Sequence, residues 1–194
     1  MTSILSISDI YNEKILETNF SAELLIDKEF VNCTFFDCNF SNTNFSNTSF
    51  DKCLFIGCNF SNPVLKGSKF IDVSFEKCKL LGISLYQCNQ VVFDLVFKEC
   101  NLSVCNFSDI KMKRAKIISC KVDECFFQNT FLVETDFSET VFSNTMFSKC
   151  DLQKSKFINA SGYTIDPRAN NVKKAIFGIP GVLGLIDCFD IKIQ

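Results

Sequence analysis

An apolar residue returns at every fifth position over most of this chain. From Cys33 to Phe60 it reads CTFFDCNFSNTNFSNTSFDKCLFIGCNF, with phenylalanine at 35, 40, 45, 50, 55 and 60. Neither a helix nor an ordinary strand has a period of five, so the pattern predicts a repeat architecture. With the central apolar residue called i, one register runs from Phe30 to Leu85. A second, shifted by two, runs from Phe97 to Phe157. All 25 centres are apolar and 16 are Phe, while 20 of the 25 residues at i−2 are Cys, Thr, Ser, Ala or Val. The exceptions are Lys28, Pro63, Ile83, Leu95 and Ile110. Large i residues beside small i−2 residues let stacked layers fill without voids.

The ends and one interior point depart from the rule. Ile15, Phe20 and Leu25 keep the period, but their i−2 partners are Glu13, Thr18 and Glu23. A distorted first coil covering the open end of the stack is expected. Between Leu85 and Phe97 the step is twelve residues where ten were due, so a small bulge or two-residue loop is predicted within 86–96. It reads either as a tolerated surface insertion or as a feature touching a partner. Tyr86, Gln87, Asn89 and Gln90 are the candidate partner-binding residues. Beyond Phe157 the pattern stops. A short helix is expected to begin at Pro180, and Phe189, Ile191 and Ile193 alternate with polar residues as a strand would.

Units such as Cys38-Asn39-Phe40-Ser41-Asn42 and Cys58-Asn59-Phe60-Ser61-Asn62 resemble the pentapeptide repeat family, and the resemblance spans about residues 18–160. It implies an all-β fold: a right-handed quadrilateral parallel β-helix, the pentapeptide repeat solenoid. Four pentapeptides make one square coil, with i on the axis, i−2 at the corner and the other positions outward. Residues twenty apart then stack, and about eight coils at ~4.8 Å make a rod about 38 Å long. Residues 1–160 are assigned to this β-helix and 161–194 to a C-terminal cap. Tyr163-x-Ile165-Asp166, Ala175-x-Phe177 and Asp190-Ile191-x-Ile193 resemble the end of the bacterial quinolone- and albicidin-resistance members. That resemblance implies a short helix-and-strand cap and a homodimer formed through it. Leu183, Ile186, Phe189, Ile191 and Ile193 are the candidate dimer interface, because one coil top is too small to bury so many apolar side chains.

Composition narrows the chemistry. There is no His and no Trp, and the net charge is −2. Without His, a Ser-His or Cys-His pair cannot form, and no Walker or Rossmann glycine pattern occurs. No enzyme activity and no cofactor are expected. Of twelve Cys, ten occupy the i−2 slot (33, 38, 53, 58, 78, 100, 105, 120, 125 and 150). With no CxxC and no His to complete a zinc site, they read as small apolar core fillers. No metal site is expected.

The absence of a signal-like N-terminus and of an 18-residue apolar run gives an expectation of a cytoplasmic protein with no membrane partner. The family's resistance members imply binding to DNA gyrase or topoisomerase IV by imitation of duplex DNA, with protection against quinolone-like inhibitors and no direct nucleic-acid contact. Duplex DNA as long as the rod carries roughly 22 charges, far more than this chain's net −2. The charge is also uneven: residues 1–60 carry eight acids and three bases, 61–121 five and ten, and 122–194 nine and seven. The alternative is a rigid protein-interaction scaffold with no topoisomerase role.

Overall fold

The computed structural model describes residues 8–89, 95–189 and 191–192. Each pentapeptide forms one side of a square coil. The i residue points inward from a short extended segment, and the residue at i+2 adopts positive φ to turn the corner, as at Asn32 (55°), Asp37 (49°), Asn42 (56°) and Gly57 (65°). Left-handed backbone costs Asn, Asp and Gly least, which explains why these types recur at the corners of the early coils. Val104 (φ 54°) and Arg114 (φ 63°) hold the same conformation. Ladder bonds there over-determine the backbone, with the Val104 N–H donating to Asp123 O at 3.0 Å and the Arg114 N–H to Val133 O at 3.0 Å.

The sides stack as parallel ladders. Asp9–Tyr11, Glu29–Val31, Ser49–Asp51 and Lys69–Ile71 form the first face. On the second face Lys14–Leu16, Thr34–Phe36, Leu54–Ile56, Val73–Glu76, Leu95–Lys98 and Lys116–Ile118 follow one another. The third holds Asn59–Ser61, Lys79–Leu81, Asn101–Ser103, Lys121–Asp123 and Val141–Ser143. Phe126–Gln128 and Met146–Ser148 pair on the fourth, which is otherwise joined by single bridges. The result is a parallel β-solenoid of about 8 turns.

Phenylalanine fills the axis in two geometries at once. Along the rod the rings lie flat on one another, as Phe35 on Phe55 (4.7 Å, 9°) and Phe55 on Phe75 (5.1 Å, 12°). Around one coil they meet edge to face, as Phe50 with Phe55 (5.4 Å, 74°). Both arrangements suit the ring quadrupole. The i−2 slot has its own requirement, because its donor reaches a buried carbonyl of the coil below. Thr43 Oγ1 donates to Phe20 O at 2.6 Å, and Cys58 Sγ to Phe35 O at 3.5 Å. Small size and a donor explain the Cys/Thr/Ser preference better than size alone.

The bulge expected within 86–96 falls largely on residues 90–94, outside the described ones, and the ladders on either side of them differ in spacing. Asn89 N–H still bonds Ser68 O at 2.8 Å, which leaves Cys88 seated over Ser68. Leu95 pairs with Val73 and Phe97 with Phe75, a shift of 22. The two extra residues therefore enter between Cys88 and Leu95. Stacking is undisturbed on the second face, where Phe75 and Phe97 lie 5.2 Å apart at 10°.

A second irregularity escaped the sequence reading. Ser161 pairs with Val141, Thr164 with Met146 and Asn171 with Asp151, so the spacing shortens to 18 and then returns to 20. The recovery occurs in a turn at 166–170, where Asn170 fills the i−2 slot, accepting from Cys150 N and donating to Phe147 O. Ladder pairing also runs past residue 160, with Ile176–Phe177 beside Lys156–Phe157. The expected helix at Pro180 is a 3-10 turn over Gly181–Leu185. The strand expected at Phe189, Ile191 and Ile193 is not formed among the described residues. Asp187–Phe189 is instead a second 3-10 turn, closed by Phe189 N–H donating to Ile186 O at 3.0 Å. A strand pattern needs an edge to pair with, and the chain has turned back over the coil top before one is reached.

Candidate interaction surfaces

The outward residues stand in columns that run the length of the rod, one residue per coil. On the third face Asn39 Nδ2 donates to Asn19 Oδ1 and Asn59 Nδ2 to Asn39 Oδ1, each at 3.1 Å. At the corner between the first and second faces, Arg114, Glu134 and Lys154 follow one another. Glu134 lies 3.0 Å from Arg114 Nε and 3.2 Å from Lys154 Nζ. These two cations hold its carboxyl below the usual carboxylate range. Acidic neighbours along a column are few among the described residues: Asp9 with Glu29, and Glu17 with Asp37, both at the N-terminal end. Tyr11 stands beside Glu29, whose charge raises the phenol pKa. Elsewhere among the described residues, a carboxylate with a neighbour in the next coil is followed by Asn, Ser, Thr, Gly, an apolar residue or a base. Among the described residues the rod carries no continuous acidic stripe.

Exposed apolar residues also recur. Phe126 and Met146 are paired on the fourth face, and Leu16 on the second face leads into the half-buried Phe36 and Ile56. The surface offers short apolar runs within polar columns, which is a protein-like surface rather than a phosphate-like one.

The candidate loop residues remain joined to the coil below. Tyr86 and Gln87 lie in a 3-10 turn over Leu85–Gln87; Gly67 N–H donates to Gln87 O at 2.9 Å, and Tyr86 is 47% exposed. Asn89 is exposed, and Gln90 lies outside the described residues. At the cap, Leu183 (40%), Phe189 and Ile191 are exposed and Ile186 is half-buried, while Ile193 lies outside the described residues. Arg168 holds this end together. Its guanidinium grips Asp166 through Nε and Nη2 (2.8–3.2 Å) and covers the Phe189 ring at 4.9 Å. Arg168 is also the main reason the Asp166 pKa falls to about 2. Sequence reasoning missed this pair, although Asp-Pro-Arg is a turn signal.

A groove of about 540 Å³ separates the cap from the last coil, lined by Ser161, Tyr163, Thr164, Ile179, Leu183 and Asp187 among others. The hydroxyl of Tyr163 is buried without a hydrogen-bond partner among the described residues. Burial pushes its pKa up to about 12. No group of three or more His, Cys, Asp or Glu side chains converges as a metal site among the described residues. Among the described residues no helix is long and apolar enough to cross a membrane.

Square coils of twenty residues, an axis of stacked phenylalanines and small donors at i−2 define a pentapeptide-repeat solenoid. The chain belongs to the pentapeptide repeat family: a model described as "Pentapeptide repeat region" matches residues 28–95, and one described as "Pentapeptide repeats (8 copies)" matches 124–159. No curated protein matches it significantly. Among solved structures, two trypsin-treated variants of QnrB1, a plasmid-mediated fluoroquinolone resistance protein, are similar in fold. One aligns with TM-score 0.67 at 19% identity and the other with 0.54 at 20%, each covering 96% of this chain and 97% of that one. HetL, a pentapeptide repeat protein involved in heterocyst differentiation regulation in the cyanobacterium Nostoc, aligns with TM-score 0.39 at 11% identity, covering 86% of this chain and 84% of that one.

Proposed function

We propose that this protein is a non-catalytic, rigid rod that acts by binding another protein along its faces. The observation that carries the reading is the surface itself, with columns of amides, hydroxyls and alternating charges around short apolar runs. A preordered solenoid of this kind loses little conformational entropy on binding. Gyrase protection is the second reading, supported by the fold shared with QnrB1. It is the weaker one here, because imitation of duplex DNA asks for closely spaced negative charge along the rod, and among the described residues the acidic neighbours extend over two coils. The test is displacement of a fluorescent duplex from purified gyrase, followed by anisotropy. The proposal expects no displacement at any salt concentration, and salt-sensitive displacement would overturn it.

We further infer a twofold dimer through the cap. Ile179 (92% exposed), Leu183, Phe189 and Ile191 cluster at one end of the rod, where self-association would remove them from water. Light scattering is expected to give twice the chain mass for the unmodified protein and a monomer for Leu183→Glu combined with Ile191→Lys. A monomeric unmodified protein at micromolar concentration sinks the dimer.

A further inference from the structure

Sulfur is stacked in this core as regularly as phenylalanine. At the corner leading into the third face, Cys38, Cys58, Cys78, Cys100 and Cys120 occupy successive coils, fixed by the pairing of the residues that follow them. From coil to coil each thiol makes the same two contacts. Cys58 Sγ lies 3.4 Å from Ile56 O and 3.5 Å from Phe35 O; Cys78 Sγ, 3.3 Å from Glu76 O and 3.4 Å from Phe55 O. Cys100 repeats the pattern with Lys98 O and Phe75 O (3.4 Å each), and Cys120 with Ile118 O (3.3 Å) and Phe97 O (3.4 Å).

An unchanged contact signature means an unchanged side-chain conformation. The sulfurs therefore repeat with the coils themselves, at about 4.8 Å. Two shorter stacks, Cys33 with Cys53 and Cys105 with Cys125, follow the same rule. Cys88 and Cys150 are buried too, but they stack on Ser68 and Thr130 and have no sulfur neighbour.

That spacing excludes the usual uses of paired cysteines. Cβ atoms that repeat with the coils stand too far apart for a relaxed disulfide. A single file of thiols cannot surround zinc, which takes four ligands tetrahedrally. A metal–thiolate bond of about 2.3 Å, however, gives a straight S–metal–S unit about 4.6 Å long, close to one coil rise. Thiolates select soft ions.

We propose that the stacked thiols bind soft cations in linear two-coordinate form, each ion bridging two adjacent coils. Two S–H bonds break, two metal–sulfur bonds form and two protons leave to solvent, with no change of oxidation state. A dication such as Hg²⁺ yields a neutral bis-thiolate, whereas Ag⁺ or Cu⁺ would leave a buried anion, so the dication is preferred. Only weak S–H donor bonds are given up. The five-thiol column accepts two ions and each shorter stack one, giving a capacity of four. This inference is independent of what binds the outer surface.

Mercuric chloride is the probe. The full chain is loaded both in its native state and by refolding with the ion present, washed with a competing monothiol, and weighed by native mass spectrometry. Four ions are expected to remain, with an absorption-edge signature of two sulfur neighbours. Cys105→Ser should lose one ion and Cys150→Ser none. Serine already fills the same buried slot at Ser68 and Ser155, and circular dichroism checks that both variants keep the fold. Retention of no ion by either route, or equal losses from the two variants, would overturn the assignment.

Discussion

Phe126 and Phe127 are adjacent in sequence and opposite in structure, so replacing each by alanine tests the register directly. Phe127 is fully buried, lies flat between Phe107 (4.8 Å) and Phe147 (4.9 Å), and meets Phe137 edge-on. Losing its ring forfeits about 2–3 kcal/mol of transfer free energy. A residual cavity of about 100 Å³ adds roughly 2.4 kcal/mol at ~24 cal/mol per Å³. The total, about 4.4–5.4 kcal/mol, lies at the upper end of measured Phe→Ala losses of ~3–5 kcal/mol. An unfolding entropy of ~2.1 cal/mol/K per residue gives about 0.4 kcal/mol/K over 194 residues. Phe127→Ala should therefore lower Tm by about 11–13 °C. Phe126, 43% exposed and facing outward, should cost less than about 1 kcal/mol, or under ~3 °C. Thermal denaturation followed by circular dichroism measures both. Equal losses, or a larger loss for Phe126→Ala, would refute the assignment of inward and outward positions.

Other outcomes follow from the same geometry. Gly162→Ala should destabilise the last coil by about 1–3 kcal/mol, because Gly162 has φ +74° and an added Cβ would meet Phe142 O; hydrogen exchange of the Val141–Ser143 amides should rise while the N-terminal coils are unchanged. Native thiol titration should label Cys188 first, with the eleven buried thiols reacting only on denaturation; rapid native labelling of several would contradict the burial described above. Asp166, with a folded pKa of about 2 against ~3.9 unfolded, stabilises the cap above pH ~4, and that contribution is lost as pH falls toward 2. An Arg168→Ala variant should lack this acid-dependent step, and an unchanged acid titration would contradict the pairing.

The legible part of this molecule was what repeats. A five-residue period in Phe and in Cys or Thr marked a stack of like layers and the change of register between Leu85 and Phe97, because every layer imposes the same steric demand, whereas the square coil and its axis came from the resemblance to the pentapeptide repeat family. What was missed lies where the period carries no information. The left-handed corners at i+2 could have been read from the Asn, Asp and Gly at 12, 27, 32, 37, 42, 47 and 57. The donor role of the i−2 residues was hidden because Cys, Thr and Ser are small as well as polar. Near the end, the spacing of 18 from Met146 to Thr164 follows no local signal, and Tyr163 takes a slot elsewhere given to small residues. The tail misled for a different reason. Alternation at Phe189 and Ile191 is a strand signal only where an edge is free to receive it, and placement of that edge is a tertiary fact.

Charge along the columns separates a binding rod from a DNA mimic, and one measurement tests that separation most directly. Purified gyrase is assayed for supercoiling with a quinolone at its half-inhibitory concentration, over a titration of this protein. The surface described here predicts unchanged inhibition up to a large molar excess of the protein. Restored supercoiling that saturates with the protein, and that is lost when Asp9, Glu29, Glu17 and Asp37 are neutralised to amides, would contradict it.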